Sequence, residues 1–564
     1  MSSSTTTTSC LALFRITSQS RWRLPVGGGC CAAALLALLA GTGTLEAAPG
    51  ATVAGETLYR RGILPSGQPV DAIRNAGANL HGSDAACANC HRRSGLGSIE
   101  GKITIPPIAG PYLFTPRGKS LEQLGIPFVD TTRINHEPYT DESLARAIRD
   151  GIGANGRPLN YLMPRYRIDD VAMAELTAYL KGMKVGPAPG VTSSVLHFAT
   201  IITADADPVK QRGVLAVMNQ YFIDKNNAMS RTKAPTLYSS HATMFRVERR
   251  WQLHVWNLTG APATWQKQLR AHLAAEPVVA VISGLGGSDW SPVHKFCEQE
   301  RLPCLFPNVE VPAGSDTDFY TIYFSRGVLL EAQLIARQLA NGEPAGRVFQ
   351  VYRAGDVGEA AARAFQAARA GSGQEVVNHA LKAHGSPQEL ADTLREVGAA
   401  DVLVLWLRPA DLGALESVPA RTAQVWISGE MGGLENAPLP PGWRTRARMA
   451  YPVDLPGQRV VRVDYALSWF RMRRIPLLAE QAQADTYLAL GLVSETLNHM
   501  VDAFVRDYLI ERIEMALDHR ALTGYYPRLS LAPGQRFASK GGYVVRFTEP
   551  EGAHVAALGD WVTP

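Results

Sequence analysis

The chain has 564 residues, of which 46% are hydrophobic and 19% are charged, and its formal net charge at pH 7 is +5. This length exceeds what one ordinary core supports, so we expect two or three domains, and the composition excludes a disordered chain and a multi-span membrane protein. The small net charge, without a block of lysines and arginines, gives no indication of nucleic-acid binding.

Residues 1–48 have the composition of an export signal. A Ser/Thr-rich start with three arginines precedes the apolar run CCAAALLALLAG at 30–41 and the small residues Ala47 and Ala48. The run is too short to span a bilayer comfortably, so we expect a signal peptide that is cleaved after Ala47, and a periplasmic protein. An uncleaved segment that holds the protein at a membrane is the alternative.

The sequence CANCH at 87–91 holds two cysteines and a histidine. Two thiols separated by two residues can add to the two vinyl groups of haem, and the adjacent His91 is placed to bind the iron. A thioredoxin-like redox dithiol and half of a zinc site are the alternatives, but no second ligand pair lies at a suitable spacing for zinc. The motif favours covalently attached haem, with thioether bonds at Cys87 and Cys90.

A haem iron of this type takes a second axial ligand, and the thioether of a methionine can serve as that ligand. In the sequence GANGRPLNYLMPRY at 153–166, Met163 lies in a loop rich in glycine and proline. Methionines on helical faces, such as Met173 and Met183, are more often core residues. We therefore expect Met163 to bind the iron, with His136 as a rival ligand.

Helical patterns surround these candidate ligands, at 55–62, at 141–150 and after a capping aspartate at 169 or 170. Together with CANCH, IPPIAGPYL, LMPRY and the terminal AYLKGM, they make residues 49–184 resemble a class I c-type cytochrome domain. The resemblance implies an all-α fold, one covalently attached haem c, and a proline near the proximal histidine, which is Pro106 or, as we prefer, Pro107. It also implies electron transfer, because an iron ligated on both faces has no open site.

A connector rich in proline and glycine, VGPAPGVTSS at 185–194, precedes an alternation of short apolar runs and helical patterns. This alternation predicts parallel sheets in two Rossmann-like lobes, at about 195–325 and 326–450, with return segments over 451–548 and a C-terminal tail over 549–564. The order of the blocks resembles a type I periplasmic ligand-binding domain, the fold of branched-chain amino acid receptors.

In that fold, ligands bind between the lobes at the carboxyl ends of the strands. The resemblance places Ser288, in GLGGSDW, on the first lobe as a donor to a ligand carboxylate or another acceptor. It places Arg408 and Glu430 at strand ends of the second lobe, where an acid would face a ligand ammonium. No Ser/His/Asp or paired-carboxylate arrangement can be identified, so we predict no catalytic residue.

Cys297 and Cys304 lie at the end of a helix and the start of the next strand, in FCEQERLPC. A disulfide there would tie the helix to its sheet. Buried free thiols are the alternative.

Three functions follow from these patterns. The favoured one is an exported monohaem cytochrome with a fused solute-binding module, which acts in periplasmic electron transfer with a redox partner protein, or in redox or ligand sensing. The second is a solute-binding receptor for uptake or signalling, which carries an accessory haem and binds an unidentified small molecule. The third is a haem-linked oxidoreductase subunit that acts on a ligand held in the cleft.

Overall fold

The computed structural model describes residues 49–564, except 75–76, 101, 116–136, 232–248, 316–317, 342–345, 501–502 and 533. The predicted signal at 1–48 and the rival ligand His136 lie outside the described residues. By their contacts, residues Pro49–Pro564 belong to one unit. Within the described ranges, every helix is too short or too polar to cross a bilayer.

Among the residues that the structure describes, the N-terminal region has five helices and five short strands. Its first and last helices pack against each other, with the rings of Tyr59 and Tyr179 5.4 Å apart. Gly55 permits this approach, because a Cβ there would lie 2.2 Å from the carbonyl oxygen of Glu175. The elements are α1 (Pro49–Arg61), β1 (Asp71–Ile73), β2 (Asn79–His81), α2 (Ala88–His91), β3 (Ser98–Glu100), β4 (Ile103–Ile105), α3 (Gly110–Phe114), α4 (Asp141–Asp150), β5 (Arg165–Arg167) and α5 (Asp170–Gly182).

Two of these helices begin at side chains that cap them. Thr140 and Ser143 form a reciprocal capping box at the start of α4, and the carboxylate of Asp169 accepts a hydrogen bond from the Ala172 N–H at the start of α5. The predicted helix at 141–150 and the predicted capping aspartate are confirmed.

The expectation of an all-α N-terminal domain needs correction. Strand β1 pairs in antiparallel fashion with both β2 and β5, and β3 pairs with β4. Each of these strands has three residues, too few for a polar and apolar alternation to be recognised in the sequence. Because β5 begins two residues after Met163, its pairing with β1 fixes the C-terminal end of the loop that contains Met163.

The next region forms a five-stranded parallel sheet in the order β10-β9-β8-β6-β7. Its strands are almost wholly buried where they pair in the middle of the sheet, and helices cover both faces, as expected for parallel sheets. The elements are β6 (Val195–Ile202), α6 (Pro208–Arg231), β7 (Arg250–Asn257), α7 (Trp265–Ala275), β8 (Ala280–Ile282), α8 (Ser291–Gln299), β9 (Cys304–Leu305) and β10 (Thr321–Ile322).

A second sheet has the order β12-β11-β13-β14-β15-β16-β17, and its first five strands are parallel. The last two strands are antiparallel, and β17 lies inside the predicted tail 549–564, where the apolar run VAAL pairs with the open edge of β16. The elements are α9 (Val328–Ala340), β11 (Val348–Arg353), α10 (Val357–Ala368), β12 (Val376–Leu381), α11 (Pro387–Leu394), β13 (Val402–Trp406), α12 (Pro409–Gly413), β14 (Gln424–Ser428), α13 (Gly429–Gly432), α14 (Pro441–Arg444), β15 (Ala447–Tyr451), α15 (Pro456–Arg473), α16 (Glu480–Met500), α17 (Arg506–Asp518), β16 (Tyr543–Phe547) and β17 (Val555–Ala557).

The prediction of two α/β lobes is confirmed by these two sheets. Helix α16 packs against α6 of the first lobe and against α17, so the return segments cover part of the first lobe. Helix α17 in turn contacts the N-terminal region, and that contact bears directly on the candidate site.

Candidate functional site

A cavity of about 540 Å³ lies in the N-terminal region, within the size range of small-molecule and cofactor sites. Cys87, Cys90, His91 and Met163 all line it, although the methionine is more than seventy residues from the motif in sequence. The rest of the wall is mainly apolar, and its apolar residues include Leu80, Ile105, Leu113, Leu144, Ile148, Leu176 and Leu180. The fold therefore brings the two predicted attachment cysteines and the two predicted iron ligands to one apolar cavity.

The imidazole of His91 is held in one orientation. His91 is the last residue of α2 and is 7% exposed, and its Nδ1 lies 3.0 Å from the carbonyl oxygen of Pro106. Because a carbonyl only accepts hydrogen bonds, Nδ1 carries the proton and Nε2 keeps its lone pair. Burial lowers the pKa of His91, with the Pro106 carbonyl opposing, and a neutral imidazole is the form that binds a metal.

The carbonyl that orients this histidine belongs to Pro106, whereas Pro107 lines the cavity beside it. The sequence alone could not separate two adjacent prolines, because the choice depends on the direction of one carbonyl group.

The two cysteines of the motif lie at the start of α2 and within it, and no disulfide joins them. Cys87 Sγ lies 4.0 Å from the hydroxyl oxygen of Tyr166, which donates to the Ala85 carbonyl at 2.9 Å. Burial raises the pKa of the Cys87 thiol to about 11. A redox dithiol depends on a lowered thiol pKa, so this environment disfavours the thioredoxin-like alternative.

The zinc alternative also finds no support in the described ranges, where no group of three His, Cys, Asp or Glu side chains could hold a metal ion. A porphyrin iron has a different requirement, because the protein supplies only its two axial ligands.

Met163 lies in a tight turn at the cavity wall. Its N–H donates to the Asn160 carbonyl at 3.0 Å, and the N–H of Leu162 donates to the Asn160 side chain at 3.0 Å. Its side chain is partly buried and packs against the apolar core of the N-terminal region. Two thiols, an imidazole with a fixed lone pair and a thioether around one apolar cavity are a donor set that fits covalent haem.

The segment after His91 is attached to helix α17, a contact that no local pattern in the sequence indicates. The Glu511 carboxylate accepts from the Ser94 N–H at 2.9 Å and from the Ser94 hydroxyl at 2.6 Å. Arg92 forms an ion pair with Glu514. The backbone of Arg92 has a φ of 63°, and the Arg92 carbonyl accepts a hydrogen bond from the Tyr59 hydroxyl at 2.6 Å. The loop next to the proximal histidine is thus held by buried groups on both sides.

These contacts use one face of α17. Asp507, Glu511 and Glu514 are spaced at i, i+4 and i+7, and Asp507 forms an ion pair with Arg60 at 3.2 Å. Burial raises the pKa of Glu511 to about 7. Three acids spaced along one stripe of the helix were the available sequence signal, but the sequence could not show which segment they meet.

Ser288, predicted to bind a ligand in the interlobe cleft, interacts with a residue of its own lobe. Its N–H and hydroxyl donate to the Asp205 carboxylate at 2.8 and 3.0 Å. The Thr203 hydroxyl donates to the same carboxylate at 2.6 Å, and the Gly287 N–H donates to the Thr203 hydroxyl at 3.1 Å. The donors predicted for a ligand carboxylate therefore already hold a carboxylate of the chain.

Arg408 occupies a charged junction between the lobes. Its guanidinium donates to both carboxylate oxygens of Glu310, at 3.0 and 2.7 Å, and to both of Asp356, at 2.7 and 2.9 Å. Lys210 of α6 reaches Glu310 at 2.9 Å. Burial pushes the pKa of Glu310 up, but the bonds from Arg408 and the charge of Lys210 outweigh it and lower that pKa to about 2.

Glu430 follows strand β14 and lies beside a second acid. Its N–H donates to the Glu331 carboxylate at 2.8 Å, and the Ser428 hydroxyl donates to Glu331 as well. Burial raises the pKa of Glu331 to about 8. Burial and the nearby charges of Glu331 and Glu310 raise the pKa of Glu430 well above its ordinary value.

Cys297 and Cys304 are joined by a disulfide with a Cα–Cα distance of 6.2 Å. Both residues are buried, and the bond links α8 to β9 on the first lobe.

No protein-family model and no curated protein matches the chain. Among solved structures, the chain is similar to the fatty acid ABC transporter substrate-binding protein from Thermomonospora curvata, with 15% identity, a TM-score of 0.43, and coverage of 67% of this chain and 95% of that one. It is similar to a leucine-binding protein from Thermotoga maritima, with 10% identity, a TM-score of 0.47, and coverage of 65% and 99%. The chain is also similar to a branched-chain amino acid transporter substrate-binding protein from Streptococcus pneumoniae in complex with isoleucine. The identity is 10%, the TM-score is 0.46, and the match covers 66% of this chain and 100% of that one. The two-lobed architecture rests on the strand order of the two sheets, and these likenesses add no function to it.

Proposed function

We propose that the chain is an exported monohaem c-type cytochrome fused to a two-lobed α/β module, and that it transfers electrons to or from a redox partner protein in the periplasm. The observation that carries this proposal is an apolar cavity that Cys87, Cys90, His91 and Met163 line together. A bound haem would supply one-electron chemistry at this place.

Each side chain has a defined task in this proposal. Cys87 and Cys90 would hold the porphyrin through thioether bonds, and the Pro106 carbonyl would keep Nε2 of His91 available to the iron. Met163 would bind the iron through its thioether from its turn at the cavity wall. The mainly apolar wall would limit the access of water to a bound haem, which favours electron transfer over chemistry at an open metal site.

Attachment of haem can be tested by replacing the two thiols. In a host with intact haem-maturation machinery, the double variant Cys87→Ala/Cys90→Ala should lose haem that survives denaturing electrophoresis. The double variant Cys297→Ser/Cys304→Ser is the matched control and should keep it. Equal haem staining of the two variants would contradict the proposal.

A second candidate function is solute binding between the lobes. The observation that favours it is the meeting of charged side chains from both lobes at strand ends, where Lys210, Glu310 and Arg408 form one network. A panel of small solutes in a thermal-shift measurement tests this function, because a bound ligand raises the melting temperature by mass action. Absence of a shift from every solute class would exclude it.

A further inference from the structure

Helix α15 carries two apolar stripes on nearly opposite faces. The stripe that packs into the core consists of Val463, Ala466 and Phe470, which are 5%, 5% and 2% exposed. The other stripe consists of Val461, Tyr465 and Met472, which are 73%, 57% and 72% exposed. A surface helix with one neighbour is apolar on one face only, so the second stripe indicates a second partner.

The second stripe belongs to a larger exposed apolar surface. Within the ranges that the structure describes, fifteen large hydrophobic side chains are exposed, and six of them lie between residues 460 and 478. These six are Val460, Val461, Tyr465, Met472, Leu477 and Leu478. Single exposed apolar side chains are normal on a protein surface, whereas a cluster of them marks a surface that another molecule covers.

The exposed stripe has the spacing of a coiled-coil seam. Val461, Tyr465, the half-buried Ser468 and Met472 follow one another in steps of four, three and four residues, as alternating d and a positions of a heptad do. This series of steps is the same in both directions along the helix. An antiparallel copy of α15 therefore places Val461 opposite Met472, and the large Tyr465 opposite the small Ser468.

The charges beside the seam match the same arrangement. Asp464 and Arg471 lie on one flank of the stripe, and their side chains are 53% and 64% exposed. In an antiparallel pair, Asp464 of each copy lies near Arg471 of the other. In a parallel pair, each of these charges lies level with its own like charge, which is unfavourable. Flanking charges of this kind set the partner and its orientation, so the helix is complementary to itself in the antiparallel sense.

An anionic membrane surface is a poorer match for this helix. Its four arginines all form ion pairs with acids of the chain: Arg459 with Glu435, Arg462 with Asp454, Arg471 with Asp464 and Arg473 with Asp224. Helices that lie on membranes present unpaired basic side chains to the lipid head groups. The cationic side chains of α15 are instead neutralised within the protein.

We infer that two copies of this chain associate through α15, as an antiparallel helix pair about a two-fold axis that passes between Tyr465 and Ser468. The interface is isologous, so each copy gives the same residues to it. One pair of 18-residue helices is small for a stable interface, so the dissociation constant is on the order of 10 μM. This association depends neither on haem nor on a solute.

Sedimentation velocity of the full exported protein, from about 1 to 200 μM, tests whether the dimer forms. The sedimentation coefficient should rise from that of a monomer to that of a dimer across this range. Val461→Glu puts a charge into the seam and should raise the dissociation constant at least tenfold. Val171→Glu is the matched control, because Val171 is a valine of α5 that is 66% exposed, and it should leave the dissociation constant unchanged.

Cross-linking with a short bismaleimide tests the orientation of the two helices. In the antiparallel pair, residue 461 of one copy lies opposite residue 472 of the other, whereas two copies of either residue are about 16 Å apart along the helix axis. A mixture of Val461→Cys and Met472→Cys should therefore give a cross-linked dimer, and each variant alone should give little. The wild type controls for the native cysteines.

Three results would overturn this inference. The first is a monomer at every concentration, and the second is a dimer that Val461→Glu leaves intact. The third is cross-linking of each cysteine variant with itself but not in the mixture. Adsorption of a monomeric protein to phosphatidylglycerol vesicles that Val461→Glu abolishes would assign the surface to a membrane instead. The covalent haem and the solute panel are read separately, so none of these results decides the proposed functions.

Discussion

The Glu511 carboxylate receives two hydrogen bonds from Ser94, one from its backbone N–H and one from its hydroxyl. Ser94 lies three residues after His91, and Glu511 lies on a helix more than four hundred residues further along the chain. The loop that carries the proximal histidine is therefore shaped by the C-terminal part of the protein.

Loss of this carboxylate should destabilise the loop. In Glu511→Ala, the buried N–H and hydroxyl of Ser94 would lose their acceptor, which costs about 1–3 kcal/mol. We expect a lower urea midpoint and faster proteolysis within residues 49–184. Asp518→Ala, at an exposed position on the same helix, is the control and should change stability little. Equal effects of the two variants would show that the contact is unimportant.

Buried acids should make stability fall as the pH rises. Burial raises the pKa of Asp485 and of Glu511 to about 7 and that of Glu331 to about 8. Between their ordinary values near pH 4 and these raised values, the native state keeps protons that the unfolded chain has released. Unfolding then releases protons, so stability decreases with pH across that window.

This effect can be measured as the urea midpoint at pH 5 and at pH 8. Asp485→Asn removes one titrating acid, so its midpoint should fall less between the two pH values than that of the wild type. Asp464→Asn, at an exposed position, should retain the wild-type dependence. The same slope in both variants would contradict the assignment of Asp485 as a protonated buried acid.

The disulfide between Cys297 and Cys304 closes a short loop, with a sequence separation of 7. Loop-closure entropy for a loop of that size is worth about 2–2.5 kcal/mol. Cys297→Ser/Cys304→Ser should lower the free energy of unfolding by about that amount, as measured by urea denaturation under non-reducing conditions. Unchanged stability on replacing both cysteines, or on adding a reductant to the wild type, would show that the bond does not constrain the chain.

Met163 should determine the spectrum of the oxidised protein. A thioether bound to ferric haem gives a weak near-infrared band, and Met163→Ala should abolish that band while the covalent haem stays attached through Cys87 and Cys90. Met472→Leu, at an exposed position, should keep the band. Survival of the band in Met163→Ala would assign the axial ligand to another residue.

The sequence predicted the parts of this protein that local patterns determine. Apolar spacing and capping residues located α4 and the start of α5, and the alternation of strands and helices predicted the two lobes. Motif chemistry selected Cys87, Cys90, His91 and Met163, and the structure places all four on one cavity.

What the sequence did not predict depends on contacts between distant segments. The pairing of Ser288 with Asp205 and of Ser94 with Glu511 links residues more than eighty positions apart, and each side chain alone is an ordinary polar residue. The three-residue strands could not be predicted from the sequence either, because their stability comes from their pairing partners rather than from their own composition.

Haem attachment is best tested by intact mass spectrometry of the mature protein, purified from a host that attaches haem, with alkylation of accessible thiols. We expect a chain heavier by one haem, with Cys87 and Cys90 protected from alkylation. A colourless chain that carries no added haem and is alkylated at both cysteines would contradict it.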